Sequence, residues 1–247
     1  MTDRRLDILF RDEHFVAVNK PAGLLVHRSD LDRHETEFAL QLVRDQMGCH
    51  VYPVHRLDRP TSGVLLFALS PEAARRAGDA FDSDLVRKTY LAVVRGVTEE
   101  EALIDYPLQV LPERFAVKSE AGTSDAREAV TAFRRLAAVE LPLPLGKFPT
   151  VRYSLLEVRP RTGRRHQIRR HLKHLFHPII GDTTYGEGRH NQLFRNELGC
   201  SRMLLHAAEL SFPHPWNGEP VTISAPLDEE FAEVMSRLGW RNALPSN

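Results

Sequence analysis

The sequence predicts an α+β fold built around a mixed or antiparallel sheet. Short apolar segments with alternating polar residues and turn-forming ends recur along the chain and indicate strands, most densely in its middle. Other stretches carry apolar residues at helical spacing and indicate helices. No internal repeat, low-complexity tract or Gly/Ser-rich linker divides the 247 residues. We therefore expect one domain over residues 1–247.

The first predicted elements are a hairpin and a helix. Two alternating segments, 6–10 and 15–19, flank a polar turn and predict paired strands. Between residues 37 and 47 apolar side chains recur at helical spacing, and Gly48 is a typical helix stop. An apolar strand is predicted over 64–69, directly after a polar, turn-rich segment.

The second helix is predicted from Ser70, a serine cap before a proline, to about residue 82. Further on, Ile168, Leu172 and Leu175 form an apolar stripe, which predicts a helix over 164–175 with Arg, His and Lys on its other faces. The proline-containing loop 141–150 is interpreted as an insertion. The remaining strands are predicted at 87–95, 129–136, 151–158, 203–212 and 221–224, and a last helix at 228–238.

Composition excludes several classes of protein. Lys and Arg number 33 and so do Asp and Glu, so the overall charge does not favour a nucleic-acid partner. The cations are nevertheless dense between residues 152 and 173, where Glu157 is the only acid. Two cysteines cannot build a disulfide framework or a structural zinc site. No apolar run is long enough for a membrane span or a signal peptide, so we expect a cytoplasmic protein.

The segment 55–63, HRLDRPTSG, is the part of the sequence that packing explains least. It places Asp58 between two arginines at the entrance of a strand, where loops carry functional groups. Considered alone, such an aspartate more often caps a turn. By the same reasoning Tyr90 would be an ordinary strand tyrosine and Arg169 a surface arginine of a helix. No metal site is expected at His166, His171, His174 and His177, because they lack an HExxH pattern and a nearby cysteine.

Longer stretches resemble one family. HRLDRPTSGVLLFALS is similar to the signature of RluA-type pseudouridine synthases. Residues 88–96, KTYLAVVRG, and 161–169, RTGRRHQIR, are similar to their second and third motifs. The resemblance implies that Asp58 is the catalytic carboxylate, that Tyr90 stacks on the target base, and that Arg169 pairs with Asp58.

The resemblance extends from about residue 6 to residue 224 and implies further contacts with RNA. Segments 177–182, HPIIGD, and 204–207, LLHA, are also similar to family segments. Arg56 would enter the stack that a flipped base vacates, and the basic segment would follow phosphates, which predicts salt-dependent binding. The implied RNA contacts are Arg56, Arg164, Arg165, His166, Arg170 and Leu205.

Pseudouridine formation breaks the N1–C1′ bond, turns the uracil and rejoins it through C5, so it needs no metal, redox cofactor or nucleotide. Asp58 could attack C1′ or remove a proton from C2′, and the residue types leave both routes open. Arg169 could hold Asp58 by a bidentate contact that lysine would not reproduce. Tyr90 offers a stacking face, and its hydroxyl could help to remove the C5 proton.

Two shorter similarities to the family indicate which RNA is the substrate. Residues 25–29, LVHRS, and 238–241, LGWR, without an S4-like RNA-binding domain, look most like family members that modify uridine 65 of transfer RNA. Ribosomal RNA, alone or together with transfer RNA, is the alternative substrate. An RNA-binding protein without catalysis and a nucleoside glycosidase or nuclease are the alternative functions. No obligatory protein partner is implied.

Overall fold

The computed structural model describes residues 4–27, 36–81, 85–110 and 126–244. The strands are β1 (Ile8–Arg11), β2 (Phe15–Lys20), β3 (Tyr52–Pro53), β4 (Ser62–Ala68), β5 (Arg87–Arg95), β6 (Glu101–Asp105), β7 (Leu108–Gln109), β8 (Ala126–Arg127), β9 (Val130–Leu141), β10 (Val151–Pro160), β11 (Leu205–Pro213) and β12 (Pro220–Ser224). The helices are α1 (Ala39–Met47), α2 (Pro71–Phe81), α3 (Gln167–His174), α4 (Gly188–Leu198) and α5 (Glu229–Arg237). Within these residues no helix has the length and apolar character needed to cross a bilayer.

Ten of these strands form one sheet in the order β1-β2-β4-β11-β5-β10-β9-β6, with β3 beside β4 and β12 beside β11, while β7 and β8 form a separate ribbon. β11 comes late in the chain but lies between β4 and β5. Its pairing with β4 is parallel, through His206 and Ser62, and it is the one parallel strand pair among the described residues. The other pairs are antiparallel, so the predicted α+β class with a mixed sheet is confirmed.

The sheet is covered on both faces where the candidate residues lie. All seven residues of β4 are buried, which explains its nearly continuous apolar sequence. On one face of β5, Tyr90, Ala92 and Val94 pack with Ile168 and Leu172 of α3. The predicted apolar stripe is therefore the face by which α3 docks on the sheet, and this packing brings α3 beside Tyr90.

Helix α3 begins at Gln167, three residues later than predicted. The buried Gln167 side chain accepts hydrogen bonds from the Arg164 backbone N–H at 2.9 Å and the Thr162 hydroxyl at 2.7 Å. Its amide donates to the Val130 carbonyl and the Thr131 hydroxyl, each at 3.0 Å. These bonds hold residues 162–166 as a turn, so the arginines of this segment lie on a loop ahead of the helix.

Two other features differ from the prediction. The loop 142–150 directly connects β9 to its antiparallel partner β10 and contains a bridge between Leu145 and Phe148, so it is a hairpin connection. Helix α4 was not predicted, because only three of its eleven residues, Leu193, Phe194 and Leu198, are apolar, which is too few to stand out as an apolar stripe. The predicted end of α2 at residue 82 lies outside the described residues.

Candidate active site

Asp58 lies in the loop between β3 and β4. Its backbone carbonyl accepts a hydrogen bond from the Thr61 N–H at 3.0 Å, and β4 begins at the next residue, Ser62. The Asp58 side chain is 26% exposed and lines a cavity of about 470 Å³. A tight turn therefore fixes this carboxylate at the start of a buried central strand.

The cavity collects residues from distant parts of the sequence. The predicted site residues that line it are Arg56, Asp58, Tyr90, Arg164, His166, Arg169 and Leu205. Of the predicted RNA contacts, Arg165 and Arg170 do not line it; Arg165 is exposed and Arg170 is half-buried. Among the described residues of the lining, Asp58 is the only carboxylate, and the lining includes the cations Arg56, Lys88, Arg164 and Arg169.

Arg169 is buried and binds two carboxylates. Its Nη1 donates to Asp58 Oδ2 at 2.9 Å. Its Nε and Nη2 donate to the two oxygens of Asp182 at 2.7 and 2.9 Å. The bidentate contact expected with Asp58 is thus made with Asp182, and that detail of the prediction was wrong. A planar guanidinium can serve both partners because it carries five donors in fixed directions.

Asp182 was not recognised as a site residue from the sequence. It is only 1% exposed, and its Oδ1 also accepts the backbone N–H groups of Thr184 and Tyr185 at 2.8 and 3.0 Å. Burial alone would raise the pKa of this carboxyl, but the hydrogen bonds from Arg169 and the backbone outweigh it and hold the pKa below its usual value. Two observations could have identified Asp182 from the sequence: it ends the HPIIGD segment that resembles the family, and a buried arginine needs a counter-charge.

Tyr90 lies where β5 pairs with both neighbours, opposite Val158 of β10 and Ala207 of β11. Burial, and then the negative charge of Asp58, raise the pKa of its hydroxyl. The hydroxyl therefore keeps its proton at neutral pH. Its neutral ring, half-buried in the cavity wall, is suited to stacking.

His166, predicted as an RNA contact, lies next to the carboxylate. Its Nε2 is 3.8 Å from Asp58 Oδ1, and its Nδ1 forms a 3.0 Å hydrogen bond with the Tyr185 hydroxyl. Burial is the main cause that lowers the pKa of the ring, so His166 is mostly neutral at pH 7. The backbone of His166 has a φ of 56°, a left-handed conformation that non-glycine residues adopt at a cost.

The four histidines His166, His171, His174 and His177 do not converge. His171 is hydrogen-bonded to Thr131 and to the Tyr106 carbonyl, and His177 donates to the Arg95 carbonyl. In the part of the chain that the structure describes, no group of three His, Cys, Asp or Glu side chains is placed to hold a metal ion.

Residues 14–174 match the family model described as RNA pseudouridylate synthase. The chain belongs to this family. It is 53% identical over 244 residues to tRNA pseudouridine synthase C of Vibrio parahaemolyticus, covering 99% of each chain. It is 52% identical over 237 residues to tRNA pseudouridine synthase C of Haemophilus influenzae, covering 96% of this chain and 99% of the relative. The family membership predicted from the motifs is confirmed.

Solved structures agree with this membership. Human RNA Pseudouridylate Synthase Domain Containing 1 superimposes with a TM-score of 0.68 at 30% identity, covering 90% of this chain and 84% of that chain. Human RNA Pseudouridylate Synthase Domain Containing 4 has the same fold, with a TM-score of 0.69 at 24% identity and coverage of 94% and 93%. The pseudouridylate synthase fold is therefore shared over most of the chain.

In this pseudouridylate synthase, His55 supports the loop that carries Asp58. Its Nε2 accepts the Leu66 backbone N–H at 3.2 Å, and its ring stacks on Phe81 at a centroid distance of 5.5 Å. Burial, and then the positive charge of Lys88, lower the pKa of His55 to about 3. The ring is therefore neutral, with its proton on Nδ1. His55 is the first residue of the HRLD motif, and no role was predicted for it from the sequence.

Lys20 supports the same loop from the other side. Its fully buried Nζ donates to the carbonyls of Pro21, Leu24 and Arg59 at 2.9, 2.8 and 3.2 Å. Burial and the nearby Arg202 lower its pKa to about 7, while Asp58 opposes this shift. The three carbonyl acceptors match the three donors of an ammonium group. Lys20 thereby ties the residue after Asp58 to the end of β2, a role that no local sequence pattern indicated.

Proposed function

We propose that this chain isomerises a uridine of transfer RNA to pseudouridine, with Asp58 as the essential carboxylate. The observation that carries the proposal is the cavity in which Asp58, the only described carboxylate of the lining, is held by Arg169 beside the ring of Tyr90. Membership of the RNA pseudouridylate synthase family supports the reaction, and the relatives named tRNA pseudouridine synthase C support transfer RNA as the substrate.

We propose uridine 65 as the target from the resemblance of residues 25–29 and 238–241; residues 28 and 29 lie outside the described residues. The whole sequence, 1–247, acts in this proposal as a single catalytic domain, with its core over about 6–224 and the helix over 228–238 packed against it. The proposed location is the cytoplasm.

In the proposed reaction the two oxygens of Asp58 differ in environment. Oδ2 accepts the hydrogen bond from Arg169, whereas Oδ1 lies 3.8 Å from His166 Nε2, beyond hydrogen-bonding distance. We assign Oδ1 to the substrate. In one route Oδ1 attacks C1′ and uracil leaves through N1, after which C5 of the turned base displaces Asp58 from C1′. In the other, Oδ1 removes the C2′ proton, uracil leaves through N1, and C5 bonds to C1′ while Asp58 returns the proton to C2′. In both routes the C5 proton passes to solvent and N1 takes up a proton, so Asp58 is regenerated.

The base must leave its helical stack before this chemistry, which costs a few kcal/mol. Stacking on Tyr90 would return about 1–3 kcal/mol. Because the Tyr90 hydroxyl keeps its proton, we propose stacking rather than a phenolate base as its role. Arg56 is exposed at the cavity, where its guanidinium can occupy the gap that the base leaves. Arg164, also exposed at the cavity, is proposed as a phosphate contact.

Asp58→Asn tests the proposal directly. With transfer RNA labelled by tritium at C5 of uridine, the parent protein should release tritium without cutting strands or freeing uracil, and Asp58→Asn should release none while still binding RNA. Asp79→Asn, at an exposed helix position, is the matched control. Free uracil would indicate a glycosidase and cut strands a nuclease. Full activity of Asp58→Asn would refute the mechanism.

The target is tested separately by carbodiimide mapping of pseudouridine in cells with and without the gene. Loss of the signal at position 65 of transfer RNA alone is expected. Loss in ribosomal RNA alone would contradict the substrate, and loss in both would indicate the dual specificity.

A further inference from the structure

Helix α3 is flanked by the two non-glycine residues that have a positive φ in the described part of the chain, His166 and Phe176. His166 lies at the cavity. Phe176, with a φ of 61°, lies beyond the opposite end of the helix and has no part in the proposed reaction. This backbone conformation favours glycine, so phenylalanine is a costly residue here. Such strain persists mainly where the side chain has a use.

The backbone at Phe176 is firmly held. The Phe176 and His177 N–H groups close the end of α3 by donating to the Lys173 and Leu172 carbonyls, each at 2.9 Å. Arg95 Nη2 donates to the Phe176 carbonyl at 2.9 Å. The Phe176 residue, by contrast, is 78% exposed, more than any other exposed large hydrophobic residue that the structure describes. The fold therefore fixes the main chain and presents the ring to solvent.

The exposed face of α3 is cationic. Its eight residues, QIRRHLKH, include no acid, and Lys173 and His174 are exposed while Arg170 is half-buried. His174 stacks on the exposed Tyr106 at a centroid distance of 3.7 Å. At 1.5 Å per residue, this face extends about 12 Å from the cavity end of the helix towards Phe176.

We propose that Phe176, Lys173 and the Tyr106–His174 pair form a second RNA-contact surface, on which a base or ribose of the substrate stacks outside the reaction cavity. The identity of the RNA rests on the proposed function. Aromatic faces bind bases of any sequence, and neighbouring cations neutralise the phosphates between them. Helix α3 connects this surface to the cavity that would hold the target uridine, since Gln167, Ile168 and Arg169 of its first turn line that cavity.

Phe176→Gly separates this role from a structural one. Glycine suits the left-handed conformation, so the variant should keep its melting temperature or gain about 2–4 °C. Its affinity for full-length transfer RNA, measured by fluorescence anisotropy in an Asp58→Asn background, should fall by about 5- to 100-fold. Phe176→Tyr should bind like the parent. Ile8→Ala is the control, since Ile8 is 42% exposed on β1, at the opposite edge of the sheet from β9 and β6.

Salt titration gives a second readout. Lys173→Ala should reduce the slope of log Kd against log salt by about one unit, because one phosphate contact is lost. Phe176→Gly should leave that slope unchanged, since its ring carries no charge. An unchanged slope in Lys173→Ala would show that Lys173 does not contact the RNA and would contradict its place in the proposed surface.

The proposal is overturned if Phe176→Gly binds transfer RNA like the parent. If Phe176→Gly alters sedimentation without altering RNA affinity, the ring contacts a second protein copy and the proposal is also overturned. Failure of the proposed function looks different: no pseudouridine would form with the parent protein, while weakened RNA binding by Phe176→Gly would still support the surface.

Discussion

Asp182→Asn tests how Arg169 is held against the catalytic carboxylate. Asp182 accepts four hydrogen bonds, two from Arg169 and two from backbone N–H groups. Asparagine has the same shape but only one oxygen. In either orientation its amide N–H₂ faces an Arg169 donor at a distance of 2.7–2.9 Å, so an attraction becomes a repulsion.

The expected loss follows from burial. Removing one partner of a buried ion pair costs about 3–5 kcal/mol, and we expect about 3 kcal/mol because Asp58 remains as a counter-charge for Arg169. For a chain of this size that loss lowers the melting temperature by roughly 6–12 °C. Arg169 should also turn towards Asp58 and shift it, and a displacement near 1 Å costs about 10²-fold in rate.

Single-turnover tritium release from saturating transfer RNA measures the rate at a temperature where the variant is folded, and circular dichroism measures the melting temperature. Asp79→Asn is the control, because the Asp79 side chain is 72% exposed and its ion pair among the described residues is with Arg75 at 3.3 Å. Its effect should stay within about 0.5 kcal/mol. If Asp182→Asn keeps both the parent rate and the parent stability, the Asp182 pair does not position Arg169.

Two further predictions concern stability. Burial lowers the pKa of His206 to about 4 from 6.5, so the unfolded chain binds the extra proton first, and the free energy of unfolding should fall by about 1.4 kcal/mol per pH unit from pH 6.5 down to 4 through this group. Urea unfolding across this range should show a shallower pH dependence in His206→Gln; an identical dependence would contradict the assignment. At pH 6, below the lowered pKa of Lys20, Lys20→Met should lower the free energy of unfolding by about 2–4 kcal/mol, because three carbonyls lose a charged donor. Lys147→Met, at an exposed position, is the control in the same denaturation experiment, and equal stability of the two variants would contradict the stabilising role of the Lys20 hydrogen bonds.

Local signals explain what the sequence could predict. The apolar stripe of Ile168 and Leu172 indicated which face of α3 is buried, and the motif resemblance predicted that Asp58, Tyr90 and Arg169 share one cavity. These signals are confined to short segments. Such local signals do not indicate which strands pair in the sheet, so the position of β11 between β4 and β5 could not be predicted.

The missed residues depend on contacts between segments. Asp182 is 13 positions from Arg169, and their pairing requires the chain to turn back after α3. No role could be predicted for Lys20, because its three carbonyl partners come from two loops that meet only in the folded chain. Helix α4 was not predicted because its three apolar residues are few among polar ones. In each case tertiary packing, not local propensity, decides the outcome.

The position of β11 has a consequence for synthesis of the protein on the ribosome. Asp58 directly precedes β4, on one side of β11 in the sheet, whereas Tyr90 lies on β5, on the other side. Arg169, on α3, is 111 positions from Asp58. Until residues 205–213 emerge, β4 and β5 have no strand between them, and the nascent chain carries two open sheet edges. The reaction centre is therefore completed late in translation, when one incoming strand closes both edges.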